Sequence, residues 1–282
     1  MRSKSWLVVL LCILLSGCSA TRFIYNQIDW GIVWYLNGFF SLDEEQEAEL
    51  DAAVARNLDW HRTTQLPKYA RFCRELDEEF KGEITSEMLS RRYEEIIGFW
   101  DEFIRHTVPD VAAFFALLDQ EQIDDFLENL DDDNDELWDE YAGETPEVRL
   151  QRRERAAIKS TRRVIGRLND AQKALIREHM GKMRDVAGEW MEGRRVWQAE
   201  FVNLIRTRPP EPGFTERLTD LMLNPNQFDG PEYRRKVEYN KHVVLEMIVA
   251  LLEQMDDEQR TRLSKRLWRY ARDFEVLSAQ EG

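Results

Sequence analysis

Cysteine is scarce in this chain, and its scarcity excludes a disulfide scaffold. The 282 residues include only Cys12, Cys18 and Cys73, which is too few for the cross-linked frameworks of small secreted domains. Glycine and proline are also sparse, at 13 and 8 residues, and no segment is of low complexity. Basic residues are outnumbered by acidic ones, 39 to 54, giving a net charge of −15. An acidic chain repels nucleic acid, so we expect no nucleic-acid partner.

Recognisable catalytic and metal-binding patterns are also missing. None of the four histidines, at positions 61, 106, 179 and 242, pairs with another at helical spacing, and none follows a glutamate by three residues. This removes the zinc-helix and di-iron motifs. The chain has no nucleophile elbow, no phosphate-binding glycine loop and no cysteine–histidine signature. We therefore expect no catalytic residue, no metal site and no cofactor, and hence a protein that is not an enzyme.

The N-terminus carries the strongest signal in the sequence. Arg2 and Lys4 precede ten apolar residues, Trp6 to Leu15, a run that fits a secretory signal but is too short to span a bilayer. The sequence Leu15-Ser16-Gly17-Cys18 then resembles a bacterial lipobox. In this interpretation residues 1–17 are a cleaved signal peptide, and Cys18 receives a diacylglyceryl group and an amide-linked acyl chain such as palmitate. Several acyl chains give stable anchoring.

Processing at Cys18 defines the expected mature chain and its location. Cleavage removes Arg2 and Lys4, so the net charge falls from −15 to −17. Ser19, rather than Asp, follows the cysteine; by analogy with enterobacterial sorting this favours the periplasmic face of the outer membrane over the inner membrane. We predict a lipidated tether at residues 18–22 and a helical domain at 23–282. The proline-rich stretch at 207–214 is a candidate internal boundary.

Apolar residues recur every three or four positions almost throughout, and the alternation typical of strands is absent. We therefore predict an all-α fold, a multi-helix bundle with long amphipathic helices. Pro67, Pro109, Pro146 and Pro231 each suit the first turn of a helix. The predicted helices are 23–38, 43–64, 67–81, 86–106, 109–117, 119–142, 146–167, 169–206, 215–223, 231–254 and 256–278. Gly181, Gly188 and Gly193 within 169–206 indicate either a kink or a close helix crossing.

A short pattern occurs four times, as LDEEQ from Leu42, LDQEQ from Leu118, LNDAQ from Leu168 and MDDEQ from Met255. In each, Asp or Asn stands where a helix begins and Gln follows three residues later. This is the geometry of a capping box, in which the N-cap side chain and the N3 side chain each bond to the other's backbone N–H. The irregular spacing of the boxes argues against a regular solenoid.

Two adjacent stretches carry opposite charge. Residues 119–140 contain twelve acidic residues and no Lys or Arg, whereas 149–167 contain eight basic residues and one acid. We predict that the two helices fold back as an antiparallel pair around an apolar seam. An alternative is that the basic helix 149–167 binds an anionic ligand or partner. Asp131, Asp133 and Asp135 match the first ligands of a calcium loop, but Glu136 replaces its turn glycine, so we predict an acidic helix instead.

The segment Phe23–Phe40 is rich in aromatic residues, contains one charge, Asp29, and begins five residues after Cys18. Trp30 and Trp34 lie one helical turn apart. Their rings suit either a bundle core or a helix at headgroup level, and the exposure of the two tryptophans distinguishes the alternatives. Packing in the core is the default expectation, and Trp30 and Trp34 are the candidate membrane-proximal aromatics under the alternative.

The lipobox, the stretch YNQIDWGIVWYLNGFF and the acidic helix start that follows it resemble a family of uncharacterised gammaproteobacterial lipoproteins. The resemblance implies an all-helical, lipid-anchored envelope protein without an assigned activity. The four boxes also resemble the L-T-x-x-Q boxes of Spy-like periplasmic chaperones, although Asp or Asn replaces Thr here. We expect a non-enzymatic binding or structural protein with an envelope partner. The alternatives are a chaperone for unfolded or outer-membrane proteins and a hydrolase with an unfamiliar site.

Overall fold

Helices make up all of the regular structure in residues 18–141 and 144–280, the part of the chain that the computed structural model describes; the side chains of 18–20, 131–133 and 135–141 are not described. The all-α prediction is confirmed. The helices are α1 (Cys18–Tyr25), α2 (Ile28–Phe40), α3 (Glu44–Trp60), α4 (Leu66–Glu79), α5 (Ser86–Leu117), α6 (Gln120–Tyr141), α7 (Pro146–Ile165), α8 (Asp170–Lys182), α9 (Ala187–Thr207), α10 (Gly213–Leu223), α11 (Pro231–Glu253) and α12 (Asp257–Ser278). A π-helical turn, His61–Gln65, joins α3 to α4.

Two main clusters of buried apolar residues form the core. The first contains residues of α2, α3, α5, α6, α9 and α10, and at its centre Ile123 and Ile205 have no exposed surface. The second lies between α7, α8, α11 and α12, around Ile176. Helix α5, 32 residues long, reaches the first cluster through Phe115, while its N-terminal Met88 and Leu89 pack against Leu245 of α11. Because α5 spans ~48 Å, it reaches from the first cluster to α11, a helix that also contributes Met247, Leu251 and Leu252 to the second cluster.

Helix α5 differs from the prediction, which divided it at Pro109. Pro67, Pro146 and Pro231 do lie in the first turns of helices, as predicted, but Pro109 is inside a continuous helix. An internal proline removes one backbone hydrogen bond and strains the preceding turn. Val108 and Ala112, on either side of it, are almost fully buried in the first cluster. Burial of this face outweighs the local cost of the proline.

The helix predicted over 169–206 is two helices, α8 and α9, separated at Met183–Val186. The buried side chain of Asn240 holds the break. Its Oδ1 accepts from the Arg184 N–H at 2.8 Å, and its Nδ2 donates to the Arg184 carbonyl at 2.9 Å. These bonds satisfy backbone groups that the helix would otherwise pair. Gly181 and Gly188 flank the break, in line with the kink alternative. Gly193 faces a loop and not a crossing helix: a Cβ there would meet the Asp229 carboxylate at 2.4 Å.

The predicted antiparallel pair of acidic and basic helices is wrong. The acidic stretch is helical, as α6, but its apolar residues, such as Ile123 and Leu127, pack in the first core cluster. Leu150 and Ile158 of the basic helix α7 pack in the second. Apolar burial therefore directs the two helices to different cores, because the exposed charges contribute little per pair. The proline-rich stretch near 207–214 joins α9 to α10, which share the first cluster.

All four predicted capping boxes are confirmed, at the starts of α3, α6, α8 and α12. What the sequence did not reveal is that they meet in pairs. Gln46 of the first box and Gln122 of the second exchange carboxamide hydrogen bonds of 2.9 and 2.7 Å. Gln172 and Gln259, of the third and fourth boxes, do the same at 2.8 and 3.0 Å.

Each paired glutamine makes one further bond, to the backbone carbonyl two residues before its partner's N-cap. The acceptors are Leu117 and Ser41 in one pair and Gln254 and Arg167 in the other. Each Oε1 also accepts the N–H of its own N-cap residue. Both donors and both acceptor positions of each carboxamide are thus used. The two pairs of boxes therefore share one geometry. In each pair, two helix–box–helix units are joined through the glutamines of their boxes.

Candidate functional site

The first candidate is the helix that begins at Cys18. The lipobox residues Leu15, Ser16 and Gly17 lie outside the described residues, and so does the Cys18 side chain. Residues 18–22, predicted as a tether, belong to helix α1, which is docked on the body. Arg22 donates from Nε to the buried carboxylate of Asp273 in α12 at 2.8 Å, and the Tyr25 hydroxyl lies 2.9 Å from Nδ1 of His61. Helix α1 is therefore held close to the bundle.

The aromatic segment that follows α1 divides between core and surface. Phe40 is 3% exposed and packs in the first core cluster with Val33. Trp30 is 68% exposed and Trp34 is 55% exposed, and their rings stack at 6.2 Å between centroids. The core interpretation of these two tryptophans is therefore wrong, and they are surface aromatics in the helix that follows α1.

Tyr25 and His61 connect this segment to a half-buried group of aromatic residues that includes Tyr69 and Phe103. Burial raises the pKa of Tyr25 to about 12 and lowers the pKa of His61 to about 4. His61 is therefore neutral at pH 7, and its Nδ1 is free to accept a hydrogen bond from the Tyr25 hydroxyl. Protonation would remove that acceptor and place a charge beside Tyr69 and Phe103.

We expect His61 to make the folded protein acid-sensitive. The unfolded chain binds a proton at His61 below pH ~6.5, whereas the folded chain binds it only near pH 4. The stability contribution is therefore complete above pH ~6.5 and is lost as the pH falls to about 4; it amounts to roughly 2–3 kcal/mol. Chemical denaturation of wild type and His61→Phe from pH 7.5 to 4 measures it. The variant should show the smaller loss of unfolding free energy.

His242→Phe is the matched control for this measurement, because His242 is exposed on α11 and only contacts Glu238 one turn away. Its stability profile should follow that of the wild type. A His61→Phe profile parallel to the wild type throughout the acidic range would contradict the assignment.

The second candidate is an open apolar groove of about 530 Å³ between α4, α5 and α11. Phe72 and Leu76 of α4 line it together with Phe80, which caps that helix, and Tyr93 and Ile96 of α5 stand at its edge. Tyr93, Ile96, Ile97 and Trp100 form a stripe on α5 at positions i, i+3, i+4 and i+7, and each is more than a third exposed. A contiguous exposed apolar patch is typical of an interaction surface.

The charged residues beside this groove are already neutralised. Arg92 contacts Glu75, Glu79 and Glu95, and these bonds raise the pKa of its guanidinium. Lys241 pairs with Glu94 at 2.9 Å and lies over the Tyr93 ring. The groove therefore offers a largely apolar surface with no unpaired charge among these residues. Sequence reasoning missed it, because an exposed i, i+3, i+4, i+7 stripe has the same pattern as a core-facing one.

Where side chains are described, the other titratable residues do not converge on a site. His242 is beside a carboxylate but on an open helix surface, and His179 is buried with Nδ1 2.9 Å from the Leu175 carbonyl. In the described part of the chain no cluster of three or more His, Cys, Asp or Glu has metal-binding geometry. Cys73 is buried beside Ala70 and Ala271, and burial raises its thiol pKa to about 11, so it is a packing residue.

The acidic stretch 119–140 and the basic stretch 149–167 lie almost entirely in α6 and α7. Asp131–Asp133 and Asp135 lie in α6, whose backbone is helical there, but their side chains are outside the described residues. In α7, Arg149 pairs with Asp185 and Arg152 with Glu144. Farther along that helix Arg155, Lys159 and Arg162 are exposed. The alternative that 149–167 binds an anionic ligand rests on such exposed basic side chains, of which these three lie at i, i+4 and i+7 on α7.

Comparison with known families places the chain in an uncharacterised class. The chain belongs to DUF6279, a family of unknown function whose sequence model matches residues 38–234, more than half of its length. The match includes three of the four capping boxes and the α5 stripe, and it ends near the start of α11. No curated protein and no solved structure matches the chain. Among the described residues no helix is long and apolar enough to cross a bilayer.

Proposed function

We propose that the protein is a lipid-anchored lipoprotein of the bacterial envelope that acts by binding and not by catalysis. Cys18 of the lipobox would carry the acyl chains, and Ser19 favours the periplasmic face of the outer membrane over the inner membrane. The single structural observation that carries the binding role is the open groove between α4, α5 and α11. It joins an apolar floor to an exposed apolar stripe on one long helix.

The surroundings of the groove favour a neutral, apolar occupant. Arg92 and Lys241 are paired with glutamates of this chain, so an incoming charge would have to displace existing partners. The volume of about 530 Å³ suits several apolar side chains. A helical or extended segment of an envelope protein that presents such side chains fits this surface, as amphipathic helices fit hydrophobic grooves.

A second candidate is a chaperone for unfolded or outer-membrane proteins. The exposed stripe at Tyr93, Ile96, Ile97 and Trp100 favours it, because exposed apolar surface captures clients of many sequences. The likeness of the boxes to those of Spy-like proteins adds no support, since their glutamines bond to each other inside the fold. The remaining alternative, a hydrolase, would need a histidine and a carboxylate in a deep pocket. His242 and Glu238 instead meet on open surface.

Site-specific photocrosslinking in living cells tests the binding role. A photoreactive phenylalanine at Ile96, 49% exposed beside the groove, should give protein adducts. The same residue at Leu117, 47% exposed at the other end of α5, is the matched control and should give none of those adducts. Adding Val237→Glu, at the opposite wall, should reduce the Ile96 adducts at least severalfold, because a carboxylate buried at an apolar interface is costly.

The pattern of adducts distinguishes the two candidates. One discrete adduct identified by mass spectrometry supports a dedicated envelope partner, whereas a broad set of unfolded envelope proteins supports the chaperone. Equal adducts from Ile96 and Leu117, insensitive to Val237→Glu, would contradict a binding role for the groove.

A further inference from the structure

Phe23 of α1 and the stacked Trp30 and Trp34 of α2 are exposed aromatic residues near the start of the mature chain. We propose that these three rings, here called the aromatic face, insert into the phospholipid headgroup layer beside the acyl anchor. Phe23 is 69% exposed, and the stacked rings of Trp30 and Trp34 point away from the core that holds Val33 and Phe40. The inference rests on the proposed function, because the anchor at Cys18 brings the face to the membrane. It adds that the bundle is held in one orientation.

The distance from the anchor supports a lipid occupant. Phe23 follows Cys18 by five residues within the same helix, a rise of roughly 7.5 Å. Helix α1 is fixed to the bundle, since Thr21 is buried, Arg22 pairs with Asp273 and Tyr25 meets His61. Acyl chains on Cys18 would therefore bring this helix itself to the bilayer surface.

The chemistry of the face also suits headgroups. Between Phe23 and Gly38 the exposed residues include one charge, Asp29, although a third of the whole chain is charged. Indole and phenyl rings settle at the boundary between headgroups and acyl chains, where the ring is buried and a polar edge stays hydrated. Neither indole N–H bonds to another described residue, so both remain available to headgroup oxygens.

A second copy of the chain fits this face less well. The three exposed rings offer roughly 400 Å², about half of what each partner contributes to a stable interface. The neighbouring exposed residues Asn26, Gln27 and Asp29 are polar and would not enlarge an apolar dimer contact. A membrane surface needs no such minimum, because the anchor already supplies most of the affinity.

Quenching of tryptophan fluorescence by brominated phospholipids tests the proposal. The purified lipidated protein is reconstituted into vesicles of phosphatidylethanolamine and phosphatidylglycerol, with and without brominated acyl chains. Brominated lipid should quench the wild type, and the double variant Trp30→Phe/Trp34→Phe should lose most of that quenching. Trp100→Phe, which removes a 52% exposed indole on α5, is the matched control and should be quenched like the wild type. Equal quenching of the double variant and the wild type would overturn the proposal.

A second arm separates the face from the anchor. A chain that begins at residue 18 and carries Cys18→Ser retains every described contact but no acyl chain. Its binding to the same vesicles should weaken roughly tenfold or more when Trp30→Gln and Trp34→Gln are added. Quenching of this chain without lipid labelling of the native protein would retain the face and reject the anchor. A native protein that is lipidated but shows no quenching at Trp30 and Trp34 would retain the anchor and reject the face.

Discussion

Replacing Gln172 with glutamate is expected to lower the unfolding free energy by about 3 kcal/mol. The substitution exchanges only the side-chain NH2 group for an oxygen, and no other change of that size should have a larger effect. Glutamate is as good as glutamine at the N3 position of a capping box, so the cap at the start of α8 is retained. What is lost is the Nε2 donor, which bonds to Gln259 and to the Gln254 carbonyl at a site with no solvent exposure.

Two consequences follow from that exchange. The Gln254 carbonyl and the Gln259 Oε1 lose a donor, and a carboxylate is placed beside both oxygens in a buried position. For a chain of this length the melting temperature should fall by roughly 6–12 °C. Because burial raises the pKa of a carboxyl, the introduced side chain becomes protonated at low pH and can then donate again. The stability difference from wild type should therefore be smaller at pH 5 than at pH 7.5.

Gln151→Glu is the matched control, since it makes the same substitution at an exposed position of α7 and should leave the melting temperature within about 1–2 °C of wild type. A double-mutant cycle of Gln172→Ala and Gln259→Ala should give a coupling of about 1–3 kcal/mol, as for directly bonded residues. Additive effects in this cycle would show that the boxes cap their helices independently and would reject the pairing.

The four boxes show where sequence reasoning reaches its limit. The capping geometry is local, within four residues, and so each box was predictable from its own letters. The pairing joins Gln46 to Gln122 and Gln172 to Gln259 across 76 and 87 residues, and no local pattern encodes such a distance. One signal was present: in an acid-rich chain all four N3 positions hold Gln, although Glu would cap equally well. Only an amide both caps and donates across the interface.

The helix boundaries that failed have tertiary causes. Pro109 did not end α5, because the apolar residues around it are buried on both sides. The break between α8 and α9 depends on Asn240, a side chain more than fifty residues away. Helices α6 and α7 separated because their apolar faces belong to different clusters. In each case a distant contact outweighed a local preference.

The candidate surfaces were predictable only in part. The sequence left open whether Trp30 and Trp34 pack in the core or lie on the surface, since aromatic rings at helical spacing suit both positions. Their exposure in the structure places them on the surface. The groove was not foreseen at all. Its exposed α5 stripe is distinguished from a buried stripe only by the absence of a covering helix among the described residues, which is a property of the assembled fold.

Changing Cys18 to serine is expected to abolish lipid attachment completely. Serine has no thiol to form the thioether, and the signal peptide of a lipobox protein is removed only after that step. Cells grown with labelled palmitate should therefore show a labelled wild-type band and an unlabelled Cys18→Ser band of higher mass, corresponding to retained residues 1–17. Fractionation should show the wild type with the outer membrane.

Cys73→Ser is the control that isolates the role of Cys18, because Cys73 is 8% exposed within the α4–α12 contact and its thiol is protonated. This variant should remain fully labelled, at the cost of a modest loss of stability from a buried hydroxyl. Labelling that survives in Cys18→Ser, or a wild-type band without label, would reject the anchor. In that event the exposed rings at Trp30 and Trp34 would need an occupant other than the lipid beside Cys18.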